Sequence, residues 1–319
     1  MKDHYGRKIN YMRISITDLC NLRCVYCMPE EGVKKHPHQK NMSFEEIIDL
    51  IKAGVSLGVD KIRLTGGEPL VRHGIVDLVK QIGDIAGIKD LTMTTNGILL
   101  TKYAKELKAA GLNRVNISLD TFDAEKFHQI TRWGHIEDVL SGIEAAKAVG
   151  MKPIKINTVL IKGFNDNEIE TFVNYTKDED VFVRFIELMP LGESSGFAEN
   201  QYLSNNEVLK RMPQLTPVLD ANKTGPAEYY QLPGAKGRVG LINPISKHFC
   251  SECNRIRITT DGKIKPCLHS DYEIDIIAHR KKGESYQQIL LQAINEKPEK
   301  HHINDHEKQV LRNMNEIGG

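Results

Sequence analysis

Cys20, Cys24 and Cys27 stand within eight residues, in T-D-L-C-N-L-R-C-V-Y-C, a CxxxCxxC spacing. Three thiolates on one short loop can hold three irons of a cubane and leave the fourth open. Structural zinc instead takes four Cys or His ligands, usually in paired spacings. An open iron invites a ligand that does chemistry. A redox thiol cluster and part of a zinc site are the alternative readings of the same three residues. A second group follows near the C-terminus, where Cys250 and Cys253 are separated by two residues and Cys267 follows after thirteen more. His248 and His269 flank it, so a Cys3His zinc site in a binding module is its alternative.

The chain has 319 residues, 40% hydrophobic and 27% charged, enough for one large core or one large and one small. Its 43 Lys and Arg against 42 Asp and Glu leave a net charge of +1. That balance gives no general pull toward nucleic acid or an acidic membrane, so any anion preference must be local. The first ten residues lack the apolar core of a signal peptide, and no apolar run approaches a membrane span. The expectation is a cytoplasmic protein with neither nucleic-acid nor membrane partners. Its thiols would then stay reduced and serve as ligands or reactive groups.

The elements that position these cysteines are legible as a rhythm. Strands are predicted at 13–17, 61–65, 91–95, 114–119, 154–160 and 181–187, and helices near 43–57, 74–86, 101–110, 135–149 and 166–176. The first helix opens with Ser43 and Glu46 spaced as a capping box, and Ile47, Ile48, Ile51 and Val55 mark one apolar stripe. Six β units joined by helices imply parallel strands with right-handed crossovers, hence an α/β sheet or incomplete barrel. After Met189 the rhythm breaks. A Pro- and Gly-rich stretch at 213–240 carries a short strand near 227–232, and 281–314 reads as polar and partly helical. The chain therefore divides into a core, 1–190, and a C-terminal region, 191–319, which ends in Gly318 and Gly319.

Alternate residues of a strand share a face. With the Ile and Leu positions packed against helices, the inward set is Arg13, Ser15, Thr17, Lys61, Arg63, Thr65, Thr92, Thr94, Asn96, Asn116, Ser118, Asp120, Lys155, Asn157 and Arg184. A closed barrel interior is normally filled by Val, Ile and Leu. Five cations among these residues would repel one another in a partly dry cavity unless an anion of high charge filled it. A triphosphate is the natural guest. Arg255 and Arg257, two apart beside the second cysteine group, would present two guanidinium forks from one strand face.

Gly66-Gly67-Glu68-Pro69 follows the second strand directly, where two glycines let backbone approach a ligand closely. With CxxxCxxC after the first strand, the chain resembles the radical S-adenosylmethionine (SAM) superfamily, whose cores are incomplete (β/α)6 TIM-type barrels. C-S-E-C-N-R-I-R-I-T-T-D-G-K-I-K-P-C, with T-T-N-G, N-I-S-L-D, R-F-I-E-L-M and the closing G-G, is similar to the GTP 3′,8-cyclase family of molybdenum cofactor biosynthesis. That resemblance implies two [4Fe–4S] clusters, on Cys20, Cys24 and Cys27 and on Cys250, Cys253 and Cys267. It implies SAM contacts at Tyr26, Gly67, Ser118 and Met189. It implies triphosphate contacts at Arg13, Arg255 and Arg257, with Lys61, Arg63, Thr94, Lys155 and Arg184 near the nucleotide, and the two last glycines near the active site.

The implied reaction takes hydrogen from ribose C3′ of GTP by a 5′-deoxyadenosyl radical. The carbon radical then attacks guanine C8, giving (8S)-3′,8-cyclo-7,8-dihydroguanosine 5′-triphosphate. SAM and its cluster carry this chemistry, so no side chain is assigned as an acid–base catalyst. The resemblance further implies flavodoxin or ferredoxin as electron donor, cyclic pyranopterin monophosphate synthase as recipient of the product, and room for a homodimer. A radical SAM enzyme that modifies peptides with an auxiliary cluster is the nearest rival, followed by the zinc-stabilised binding module.

Overall fold

Apolar residues at alternate strand positions and on one stripe of each helix are buried together when the helices pack along the apolar face of a sheet. The computed structural model describes residues 1–33, 41–192, 195–218, 225–301, 310 and 312–318. The core runs β1 (Tyr11–Ser15), α1 (Phe44–Ser56), β2 (Lys61–Thr65), α2 (Ile75–Gly83), β3 (Asp90–Thr95), α3 (Leu100–Ala109) and β4 (Arg114–Ser118). It continues through α4 (Ala124–Thr131), α5 (Ile136–Ala148), β5 (Ile154–Leu160), α6 (Ile169–Asp178) and β6 (Val181–Glu187). The C-terminal region adds α7 (Ser195–Gln201), α8 (Asn206–Arg211), β7 (Thr216–Pro217), β8 (Ala227–Gln231), β9 (Arg238–Ile242) and β10 (Arg255–Ile258). It ends with β11 (Lys263–Lys265), β12 (Ile274–Asp275), α9 (Ile276–Lys281), α10 (Tyr286–Asn295) and α11 (Met314–Ile317).

The six expected strands are present and parallel, but two further parallel strands flank them. The sheet order is β12-β11-β10-β1-β2-β3-β4-β5-β6-β9-β8-β7, with β10 parallel to β1 and β9 parallel to β6. Both flanking strands come from beyond residue 190, so one sheet runs without a break across that boundary. The two end strands do not pair, and the barrel is open.

Several local expectations need adjusting. β1 starts two residues earlier than expected and ends at Ser15, which leaves Thr17 in the loop. The connection from β4 to β5 holds an additional helix, α4, capped by the Asp123 carboxylate accepting from the Lys126 amide at 2.9 Å. Residues 166–168 form a 3-10 turn before α6. Expectations that fall on 302–309 and on Gly319 lie outside the described residues.

The capping box of α1 forms as expected, with Ser43 and Glu46 exchanging side-chain and backbone hydrogen bonds. Ile47, Leu50 and Ile51 of that helix pack with Ile14, Ile62 and Leu64, all fully buried. Each such side chain contributes roughly 1.5–3 kcal/mol. Among the described residues no helix is long and apolar enough to cross a membrane.

Candidate active site

The loop after β1 is braced by the Gly-rich turn after β2. Gly67 N–H donates to Thr17 O at 2.7 Å and Glu68 N–H to Leu19 O at 2.8 Å. A Cβ on Gly66 or Gly67 would stand 2.2 Å from Thr17 O or Leu19 O respectively. The glycine pair thus makes room for the cysteine loop to pack against the backbone of the turn. Glu68 is fully buried beneath them, and accepts from Leu70 N at 3.0 Å, Thr95 Oγ1 at 2.8 Å and Asn96 N at 2.7 Å. Burial pushes its carboxyl up to about 7. Asn96 in turn donates to Asn21 Oδ1 at 2.7 Å and lies 3.8 Å from the Cys20 sulfur.

All six cysteines are free. Burial pushes Cys20 up to about 11 and Cys27 up to about 12, and Cys24 rises well above the usual thiol range through burial and its two neighbours. Such thiols are poor nucleophiles at neutral pH, which disfavours the redox-thiol reading. Three soft donors whose thiolate forms need a strong cationic partner fit an iron–sulfur cluster. Of the expected SAM contacts, Tyr26 donates from its hydroxyl to Asp120 Oδ2 at 2.5 Å, Ser118 closes β4, and Met189 lines the adjoining cavity.

That cavity holds about 740 Å³, within the roughly 300–1,000 Å³ of small-molecule sites. Its wall joins opposite ends of the strand order, Arg255 and Arg257 from β10 and Tyr229 from β8, so the sheet curls around it. Arg13, Lys61, Arg63, Lys155 and Arg184 all line it. Thr94 shares their sheet but not the cavity wall, and its buried hydroxyl has no partner among the described residues. Among the described residues the wall carries two carboxylates, and both are paired. Asp90 meets Arg114 at 2.5 Å and Glu228 pairs with Lys247.

Polar neighbours fix the guanidinium groups. Arg63 Nε donates to Thr92 Oγ1 at 3.2 Å, and Arg184 Nη2 donates to Asn157 Oδ1 at 2.5 Å. Asn116, turned with its oxygen toward them, accepts from both Arg63 and Arg184. Burial, then neighbouring positive charge, lowers Arg13 and pulls Arg257 down to about 10. Lys155 falls to about 6, through burial and then Arg184, Arg114 and Arg63. Its ammonium lies against the Phe182 and Tyr229 rings, 5.6 and 5.9 Å from their centroids. An interior of this kind is costly empty and well matched to a polyanion.

The second cysteine group borders the same cavity, since Phe249, Asn254 and Leu268 on its wall adjoin Cys250, Cys253 and Cys267. Arg7 anchors this region by donating to Cys250 O at 3.0 Å, Pro298 O at 2.8 Å and Glu299 O at 2.9 Å. Burial works to raise Cys253, but Arg255 and Lys297 outweigh it and hold the thiol near about 7. A thiol so poised suits a metal ligand. His248 and His301 stack at 4.2 Å, and their ligand atoms lie within 4.8 Å of that of Cys250. Of the two histidines flanking this group in the sequence, His248 is in the grouping, His301 joins it, and His269 packs against His301 at 4.5 Å between ring centroids.

α11 links the two cysteine groups. Met314 lines the cavity, the Asn315 backbone N–H points at the Cys27 sulfur, and Asn315 Nδ2 donates to Asp18 O at 3.2 Å. Gly318 O accepts from Arg257 Nη1 at 2.5 Å. Sequence reasoning missed Tyr11, Asp90, Arg114, Phe182, Tyr229 and Lys247 on the wall. Tyr11 was within reach, because it precedes Arg13 by two and so shares its face once β1 is extended.

A model described as the radical SAM superfamily matches residues 14–176, and one described as molybdenum cofactor synthesis C matches 181–303. The GTP 3′,8-cyclase of Alkaliphilus oremlandii is 56% identical over 321 residues, and that of Petrotoga mobilis 48% over 325, each match covering 100% of both chains. Among solved structures, Streptococcus suis SuiB bound to S-adenosylmethionine superposes with a TM-score of 0.59 at 17% identity, covering 88% of this chain and 68% of that one. Methylornithine synthase gives 0.51 at 18% identity, covering 66% and 64%. At such identities these two show the fold alone.

Proposed function

The chain belongs to the GTP 3′,8-cyclase family of the radical SAM superfamily, and from that premise we infer which of its residues bind and orient the reactants. It converts GTP to (8S)-3′,8-cyclo-7,8-dihydroguanosine 5′-triphosphate, the first step of molybdenum cofactor biosynthesis, with SAM and two [4Fe–4S] clusters as cofactors. When bound, SAM and the N-terminal cluster supply the hydrogen abstraction at ribose C3′ that lets this carbon join guanine C8.

In our reading Cys20, Cys24 and Cys27 hold that cluster, and Tyr26, Gly67, Ser118 and Met189 seat SAM. Cys250, Cys253 and Cys267 hold the second cluster, beside the guanine. Arg13, Arg255 and Arg257 bind the triphosphate, with Lys61, Arg63, Lys155 and Arg184 around it and Thr94 behind. Fixed guanidinium forks hold C3′ in one place, and reaction rate is far more sensitive to that placement than affinity is. Residues 1–190 form the catalytic core in this reading, and 191–319 supply the substrate end of the cavity. We further propose a cytoplasmic enzyme that draws electrons from flavodoxin or ferredoxin and passes its product to cyclic pyranopterin monophosphate synthase.

The observation that carries the residue assignment is the meeting of all seven assigned cations on the wall of one cavity bordered by the second cysteine group. Anaerobic incubation of iron-reconstituted protein with SAM, a reductant and GTP tests it, with the nucleotide product identified by mass spectrometry. The cyclised triphosphate is expected in the parent. Its undiminished formation by a variant lacking Arg13, Arg255 and Arg257 would overturn the assignment.

A further inference from the structure

Tyr11 opens β1 and stands in register with Arg255 of β10 on one side and Lys61 of β2 on the other. Strand alternation places it on the face of Arg13, and the Arg63 guanidinium sits 5.4 Å from its ring centroid. The side chain lines the cavity, yet its hydroxyl oxygen is buried and makes no hydrogen bond among the described residues. A buried hydroxyl ordinarily has a partner, and one without is a site awaiting it.

The surroundings say what kind of partner. Arg13, Arg63, Arg114 and Arg255 act on this phenol, and arginine offers donors but no acceptor. The wall carboxylates Asp90 and Glu228 are held by Arg114 and Lys247. Among the described residues nothing accepts the phenolic proton, and an anionic ligand in the cavity would supply the acceptor. We propose that Tyr11 is a further substrate-positioning residue, whose hydroxyl donates a hydrogen bond to the triphosphate of the nucleotide; this rests on the GTP reading above. Burial works to raise the pKa of the phenol, but the four arginines outweigh it and lower the pKa, which makes the O–H a stronger donor to an anionic oxygen.

Tyr11→Phe keeps the ring under Arg63 and removes only the hydroxyl. Binding of GTP and of guanosine to the anaerobically reconstituted parent and variant, with SAM present, is the measurement. GTP affinity is expected to fall about tenfold in the variant, as for one hydrogen bond to a charged acceptor, while guanosine affinity and iron content stay unchanged. Inorganic tripolyphosphate should likewise compete less well in the variant. Equal GTP affinity in parent and variant, or an equal loss for guanosine, would overturn the role of Tyr11 while leaving the GTP reading intact. If the parent itself bound GTP no better than guanosine, the phosphate reading would fall and this inference with it.

Discussion

At the scale of single residues, Lys155 illustrates how an assembled cavity sets a charge. Its folded value of about 6 lies far below the ordinary lysine value of about 10.4. Between those values the unfolded chain holds the proton and the folded one does not, so this residue's contribution makes stability rise with pH across that window. A bound triphosphate reverses the balance, because its negative charge offsets Arg63, Arg114 and Arg184, and Asp90 alone does not. GTP binding at pH 7.5 should then take up a proton, and affinity should decline as pH rises above about 6. Calorimetry in two buffers of different ionisation enthalpy reads this directly. Uptake should vanish in Lys155→Met, and no uptake in the parent would show that the ammonium is already charged. Arg63→Ala belongs to the same scale. It should reduce turnover more than GTP affinity, since Arg63 is held by Thr92 and Asn116 in one orientation and, in the proposed reading, would orient the ribose. Steady-state kcat and KM separate the two effects.

At the scale of elements, the turn after β2 and the loop after β1 behave as one unit. Gly67→Ala would put a methyl 2.2 Å from Leu19 O, against backbone that cannot rotate away. Such overpacking costs roughly 1–3 kcal/mol, and it falls on the loop that carries Cys20. The expected result is loss of the N-terminal cluster with retention of the other, read as about half the parent's iron and sulfide after reconstitution. Cys24→Ala should give the same iron count and abolish SAM cleavage, while leaving the loop's backbone contacts in place. If Gly67→Ala kept full iron, the close approach would be slack rather than structural.

At the scale of the whole molecule, the C-terminal region does more than append a second cluster. It contributes a parallel strand to each side of the core sheet and so builds both flanks of the cavity. Two separate three-cysteine groups should yield two clusters per chain, since three thiolates leave one open iron each. The His248, Cys250 and His301 grouping makes the alternative concrete. His248→Ala with His301→Ala should leave iron content at the parent's level, because neither imidazole is among the six assigned ligands. Stoichiometric zinc, lost in that double variant, would instead favour a zinc centre.

The sequence by itself determined what depends on neighbours along the chain. CxxxCxxC spacing, the capping box at Ser43 and the two-residue period of each strand are local. They sufficed to mark the cysteine groups, most helix and strand positions, and the inward face carrying Arg13, Arg63 and Arg184. Only the tertiary structure decided what depends on distant pairing. β9 and β10 join the edges of a sheet whose other strands lie far off in sequence, and no local period announces that. His301 reaches Cys250 from fifty-one residues away, and the partner of the Gly66-Gly67 pair is a different loop. Charge state belongs to the same class. Lys155 is an ordinary lysine in the sequence, and its proton becomes negotiable only once three arginines from three other strands and a low-dielectric wall close around it.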